Sequence, residues 1–111
     1  MKGTYLGEFE EVILLIVAIL NGKAYGNSLK EEFQGRANRS VNLSAIHAAL
    51  YRLEQKGFVK SQFGEPTCER GGKRKRFFSA TNKGLSALQE SRDLRKNLWA
   101  DVPVNALSKF R

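Results

Sequence analysis

A single cysteine, Cys68, stands in 111 residues, so the chain can form no internal disulfide. There is also only one histidine, His47. With no second imidazole or thiol to join it, the donors of an ordinary zinc site are missing. Neither a Ser/His/Asp nor a Cys/His arrangement is credible around that lone imidazole. The apolar run Val12–Leu20 is nine residues long, against about 20 needed to cross a bilayer. Glu8, Glu10 and Glu11 precede it where a secretory signal would carry cations. No phosphate-cradling glycine motif is present, because Gly71-Gly72 lacks the strand–loop–helix setting. Internal repeats and low-complexity segments are absent too. The expectation is a cytoplasmic protein that is not an enzyme and has no metal, no cofactor and no membrane partner.

Carboxylates are also scarce. The net charge is +8. Residues 36–83 carry eleven cations against three carboxylates, while the segments on either side cancel each other. A basic block confined to one part of a fold is the footprint of a polyanion partner, although a solvated face has the same composition.

The chain is long enough for one domain with a real core, and its 41% apolar content argues against wholesale disorder. Leu6–Leu20 reads as a helix with acids in its first turns, where the dipole favours them, and Asn21-Gly22 stops it. Val12–Leu20 is apolar on every face, so this helix is either central in its own domain or covered by a second subunit. A second helix runs from Tyr25 to about Gln34 and ends at Gly35. Ser40–Leu43 is long enough for a two- or three-residue strand. Ser44 is the expected N-cap of a third helix that ends at Gly57, with Ile46, Ala49, Leu50 and Leu53 on its buried stripe. The opposite face carries Ser44, Ala48, Tyr51 and Gln55, flanked by His47 and Arg52. Phe58–Phe63 reads as a strand, residues 64–72 as a turn-rich loop, and Arg74–Ala80 as the returning strand. Thr81 caps a fourth helix that runs to about Ala100, before Pro103.

Arg70, Lys73, Arg74, Lys75 and Arg76 surround Gly71-Gly72 and run into Phe77-Phe78, which places a basic loop tip on an aromatic anchor. Strand alternation puts Lys73 and Lys75 on one side and Arg74 and Arg76 on the other. The element order is that of a mainly α (α+β) winged helix-turn-helix with a two-stranded basic wing. Two function classes fit: a sequence-specific DNA-binding regulator, or a winged-helix module for protein contacts or non-specific nucleic acid.

Several separated stretches resemble the PadR family of bacterial transcriptional regulators. They are Leu6-Gly7-Glu8-Phe9-Glu10, Ala24-Tyr25-Gly26, Leu50–Val59, Gly64-Glu65-Pro66-Thr67, Glu69–Phe78 and Thr81-Asn82-Lys83-Gly84. The resemblance covers about residues 5–100. It implies a homodimeric winged-helix repressor of a palindromic operator in double-stranded DNA, with the C-terminal helix packed on the partner's N-terminal helix. Residues 1–81 would be the DNA-binding domain, and 82–111 the C-terminal dimerisation helix and tail. The chain departs from the family at His47, where tyrosine is usual, and its C-terminal region is short, as in the single-helix members.

The expected DNA-binding residues are Arg39, Ser40 and Asn42 before the third helix; Ser44, His47, Ala48, Tyr51, Arg52 and Gln55 on it; and Arg70, Lys73, Arg74, Lys75 and Arg76 in the wing. Arg52 has a competing role, as an ion-pair partner of Glu54, Glu31 or Glu32. Arg36 in the same connector is as readily a solvated residue. Some small members of the family stack planar ligands on an aromatic residue of the C-terminal helix, in the dimer interface. Trp99 would do this for a planar hydrophobic small molecule, or else bury itself against a partner helix. Phe9, Ile13, Ile16, Leu94 and Leu98 complete the expected effector or dimer surface. Cys68 lies near Arg70, which favours a thiolate, but a filler position is the simpler reading.

Overall fold

In the computed structural model, which describes residues 5–66 and 74–105, the order is α1 (Glu8–Leu20), α2 (Gly26–Ala37), α3 (Leu43–Gln55), β1 (Val59–Pro66), β2 (Arg74–Ala80) and α4 (Asn82–Ala100). This is an α+β winged helix. Helices α1, α2 and α3 pack around a core that includes Ile13, Leu14, Val17, Leu29, Phe33, Ile46, Leu50, Leu53 and Phe58, all essentially without solvent contact. The uniformly apolar run in α1 is divided by packing. Ile13, Leu14, Ile16 and Val17 face inward, whereas Leu15 and Ile19 are exposed.

Helix ends steer the chain. Asn21 (φ 48°) and Asn38 (φ 56°) close α1 and α2 in the left-handed conformation that asparagine tolerates better than most residues. Helix α2 therefore continues through Gly35 to Ala37, beyond the expected stop. Gly35 lies in helical backbone, which one glycine weakens without breaking, and Ala37 packs on the core. At the start of α2, the Ser28 hydroxyl accepts the Tyr25 N–H at 2.9 Å. The cap of α3 is Asn42, not Ser44: its Oδ1 accepts the Ala45 N–H at 2.8 Å, and Ser44 sits inside the first turn. The connector at residues 40–42 forms no strand. The third strand-like element is instead a bridge between Ala24 and Phe78, whose N–H donates to the Ala24 carbonyl at 2.8 Å.

At the far end of α3, Gly57 (φ 81°) sends its N–H to Glu54 O, and Phe58 sends its N–H to Leu53 O. This paired termination, with Phe58 and Leu53 both buried, turns the chain directly into β1. Strands β1 and β2 pair antiparallel from Val59↔Ala80 to Phe63↔Arg76, and again at Pro66↔Arg74. Gly64 and Glu65 thus oppose Lys75 alone, a bulge that carries β1 three residues past its expected end at Phe63. A side chain at Gly64 would run into the Phe77 ring, so the bulge needs glycine there.

Thr81 joins wing to helix. Its hydroxyl accepts the Gly84 N–H at 3.0 Å and donates to Gly57 O at 2.7 Å, while its N–H bonds Phe58 O. Gly84 lies so close to Phe58 that a methyl group there would collide with the Phe58 carbonyl. Gly84→Ala is therefore expected to destabilise the fold by about 2 kcal/mol. Gly35→Ala, with open space around its Cβ, should stabilise it by about 0.5–1 kcal/mol. Urea unfolding of the two variants measures both, and the opposite signs are the check.

Candidate nucleic-acid interface

Helix α3 presents Ser44, Ala48, Tyr51 and Gln55 to solvent along one face, because Ile46, Ala49, Leu50 and Leu53 are drawn into the core. Small residues in the first turns leave the helix backbone approachable. Tyr51 and Gln55, one turn further on, are joined by a hydrogen bond from Gln55 Nε2 to Tyr51 Oη at 2.9 Å. A helix with a small, polar outer face and groups that donate and accept can enter a major groove and meet base edges.

Each flank of α3 is fastened by a carboxylate. On one side Glu10 of α1 receives Arg52 Nε at 2.6 Å and Lys56 Nζ at 2.8 Å, and Lys56 also donates to the Tyr5 carbonyl at 2.7 Å. The Glu10 side chain is only 11% exposed. Burial alone would raise its pKa, but the hydrogen bonds and charges of Lys56 and Arg52 outweigh burial and hold it below the ordinary value of 4.5. On the other side Glu54 receives Arg76 Nη2 at 2.9 Å and the Ser61 hydroxyl at 2.9 Å, both from the wing. Arg52 thus pairs with neither Glu54 nor Glu31 nor Glu32. Glu32 holds Arg36 within α2 instead. Glu10 was missed as a functional candidate: it shares one helical stripe with residues 13, 14 and 17, but in a helix whose next turns are apolar on every face only the packing shows that this stripe is the buried one.

The remaining residues expected at this surface separate into held and free. Arg39 lies 5.0 Å over the Phe33 ring and donates to Glu8 at 3.2 Å. Ser40 is exposed, and the side chain of Asn42 is used as the α3 cap. His47 is exposed, rests against Gly26 and borders a cleft with Tyr51, Glu54 and Arg76. In the wing, Lys75 sits 4.3 Å over the Tyr25 ring, which Phe77 meets edge-on at 5.6 Å. Phe78, on the opposite face, is buried. Arg74 is exposed and has no ion-pair partner among the described residues. Arg70, Lys73 and Cys68 lie outside the described residues.

The surface expected for an effector or a partner is laid out differently. Ile13 and Ile16 are buried within the chain's own core, so the outward apolar residues of α1 are Leu15 and Ile19. Phe9 meets Phe33 edge-on at 5.2 Å. Trp99 is 61% exposed and lines a shallow cleft with Arg95, Leu98 and Val102. Leu94 and Leu98 are exposed as well, because the second half of α4 leaves the body. Arg95 ties α4 to Glu11 of α1 at 3.0 Å. No helix among the described residues is long and apolar enough to cross a membrane.

Residues 14–90 match the transcriptional regulator PadR-like family, well over half of the chain. The chain belongs to the PadR-like family of transcriptional regulators. It is 32% identical over 98 residues to an uncharacterized protein X of Lysinibacillus sphaericus, a match spanning 86% of this chain and 82% of that one. Its fold is similar to that of a PadR-like transcription factor from Bacteroides fragilis, with a TM-score of 0.72 at 22% identity over 89% of this chain and 88% of the other. It is also similar to Bacillus subtilis PadR, solved in complex with operator DNA. There the TM-score is 0.62 at 18% identity, over 75% of this chain and 45% of that one. The PadR-like family is one of regulators rather than enzymes.

In this PadR-like chain the Glu10 pair makes stability depend on acid. A carboxyl whose pKa is lowered by folding contributes stability that is fully present above its unfolded value. That contribution is lost as pH falls through the folded value. Thermal melts from neutral pH to below 4.5 should therefore show a decline in the wild type that is smaller in Glu10→Gln. At neutral pH the variant should be less stable by about 2 kcal/mol, because Lys56 and Arg52 lose their shared partner.

Proposed function

We propose that this PadR-like chain is a sequence-specific DNA-binding regulator that acts as a homodimeric repressor on a palindromic operator. One observation carries the reading: the small, polar outer face of α3 lies between a carboxylate clamp to α1 and a basic wing, in a chain of a regulator family. Ser44, Ala48, Tyr51 and Gln55 read bases, and Ser40 and the free wing cations grip phosphates. The neighbour solved with operator DNA supports the same use of the fold. The place of action is the cytoplasm, with the DNA.

Residues 1–81 form the DNA-binding unit, and 82–111 the dimerisation helix and tail. The support is the exposure of Leu94, Leu98 and Trp99 on the projecting half of α4 and of Leu15 and Ile19 on the outer face of α1. Several large apolar side chains exposed on two packed helices are the kind of surface that a partner covers. A twofold dimer would carry its two α3 helices to successive turns of one groove, about 34 Å apart. A planar hydrophobic effector is a second role for the same region, favoured by the cleft at Trp99.

Selection of bound duplexes from a random pool tests the first reading, and enrichment of a two-fold-symmetric sequence is expected. Tyr51→Ala and Gln55→Ala should relax discrimination at specific positions, by about 1–3 kcal/mol each. Reversing the charge of Lys73 and Arg74 should weaken binding to all sequences alike and flatten its salt dependence. Light scattering should return twice the chain mass, falling to one chain for Leu94→Asp with Leu98→Asp. Because Trp99 is the sole tryptophan, its emission reports directly on the effector: planar hydrophobic compounds should quench it, and silence across a diverse panel removes that role.

A further inference from the structure

We infer that Arg76 is a positioning residue: through Glu54 and Ser61 it sets the angle of the wing against α3, and it does not grip a phosphate. The inference rests on the DNA-binding reading above and assigns roles within it. Arg76 Nη2 donates to Glu54 Oε1 at 2.9 Å and Nε donates to Ser61 Oγ at 3.0 Å. The Ser61 hydroxyl donates in turn to Glu54 Oε2 at 2.9 Å, so both oxygens of the carboxylate are engaged by the wing. The guanidinium carbon also lies 5.4 Å from the centre of the Phe78 ring. Phe78 is buried and its N–H bonds Ala24. The triad therefore joins β1, β2 and the last turn of α3 at one point.

Electrostatics argue against a phosphate at this point. A phosphate that met the outer edge of Arg76 would sit within a few ångströms of Glu54, and the two anions would repel across a half-exposed site. Neutralised locally, the pair would release no net counterion on binding. Arg74, two residues earlier on the same strand, has no such partner among the described residues and supplies the contrast. A two-stranded ribbon is marginal by itself. Its direction relative to a reading helix has to be imposed by contacts of this kind, and Arg76 with Glu54 is the charged contact between β2 and α3.

The sign of one substitution decides the matter. If Arg76 gripped a phosphate, Glu54→Gln would remove a repelling anion and strengthen DNA binding. If Arg76 positions the wing, Glu54→Gln weakens binding to the preferred sequence. The probe is a fluorescent duplex enriched from a random pool by the wild-type chain, with a scrambled duplex beside it, titrated by anisotropy at several salt concentrations. We expect Glu54→Gln and Arg76→Gln each to lose about tenfold in affinity for the enriched duplex, and the double variant to lose no more than either. The slope of log affinity against log salt should stay at the wild-type value in Arg76→Gln and fall by about 0.9 in Arg74→Gln. The swapped pair, Glu54→Arg with Arg76→Glu, should recover most of the loss, which separates positioning from failure to fold. Stronger binding by Glu54→Gln, a reduced salt slope in Arg76→Gln, or no recovery in the swapped pair overturns the inference while the DNA-binding reading stands. A wild-type chain that enriches and holds no duplex overturns both.

Discussion

The carboxylate of Glu10 is the constraint on which the rest of the arrangement depends. It sits on the inward stripe of α1, almost out of solvent, and receives two cations from one flank of α3. Apolar packing alone fixes the distance between two helices better than their rotation, since one leucine can replace another along a ridge. A nearly buried charge with two hydrogen-bonded partners tolerates no such sliding, because leaving it unpaired costs several kcal/mol. Glu10 therefore sets which face of α3 turns outward. In the proposed dimer its importance grows, because α1 also presents Leu15 and Ile19 on its outer side. One helix would then connect the twofold interface to the reading helix, and the separation of the two reading helices would follow from a rigid part of each protomer.

The wing is fixed by a different set of contacts, and they are mostly local. The termination of α3 at Gly57 delivers the chain into β1 with Phe58 already buried. Thr81 and the close approach of Gly84 to Phe58 bring β2 back to the same point before α4 begins. The base of the wing is thus pinned where α3 ends. Glu54 with Arg76 on one face, and Lys75 and Phe77 against Tyr25 on the other, restrain its direction. An exposed ribbon held at its base on both faces can present a charged tip without needing a core of its own.

Much of this was legible from residue order. The order of helices and strands, the buried stripe of α3, the stop at Gly57 and the cap at Thr81 all rest on short-range rules of spacing and capping, which need no tertiary information. Where sequence reading failed locally, two neighbouring residues competed for one role. Asn42 took the cap expected of Ser44, and Asn38 ended α2 where Gly35 was expected to. The bulge that lengthened β1 was hidden because Gly64 and Pro66 are turn formers and bulge formers alike. Partner choice among charges was not legible. Arg52 and Glu10 are 42 residues apart, and Arg76 and Glu54 are 22 apart, so only the folded arrangement selects them. The uniformly apolar run of α1 carried no period, so packing alone could divide Ile13 and Ile16 from Leu15 and Ile19.

That selection changes what the basic block means. Counted along the chain, its cations look like one continuous positive surface. In the folded protein Arg36, Arg39, Arg52, Lys56 and Arg76 each lie against a carboxylate of Glu32, Glu8, Glu10 or Glu54. The pairs Arg36–Glu32, Arg39–Glu8 and Arg76–Glu54 are one-to-one, and the field near each is that of a dipole, which falls off faster than that of a lone cation. Glu10 is instead shared by Arg52 and Lys56, and that cluster keeps one net positive charge. On the proposed reading, long-range attraction of DNA would rest mainly on cations without a carboxylate partner among the described residues, such as Lys60, Arg74 and Lys75 of the wing. In the proposed regulator most of the pull would then come from the wing, and α3 would discriminate largely by contact. A helix that reads sequence gains from this division, because a free arginine beside the reading face would bind every site about equally and dilute the difference between them.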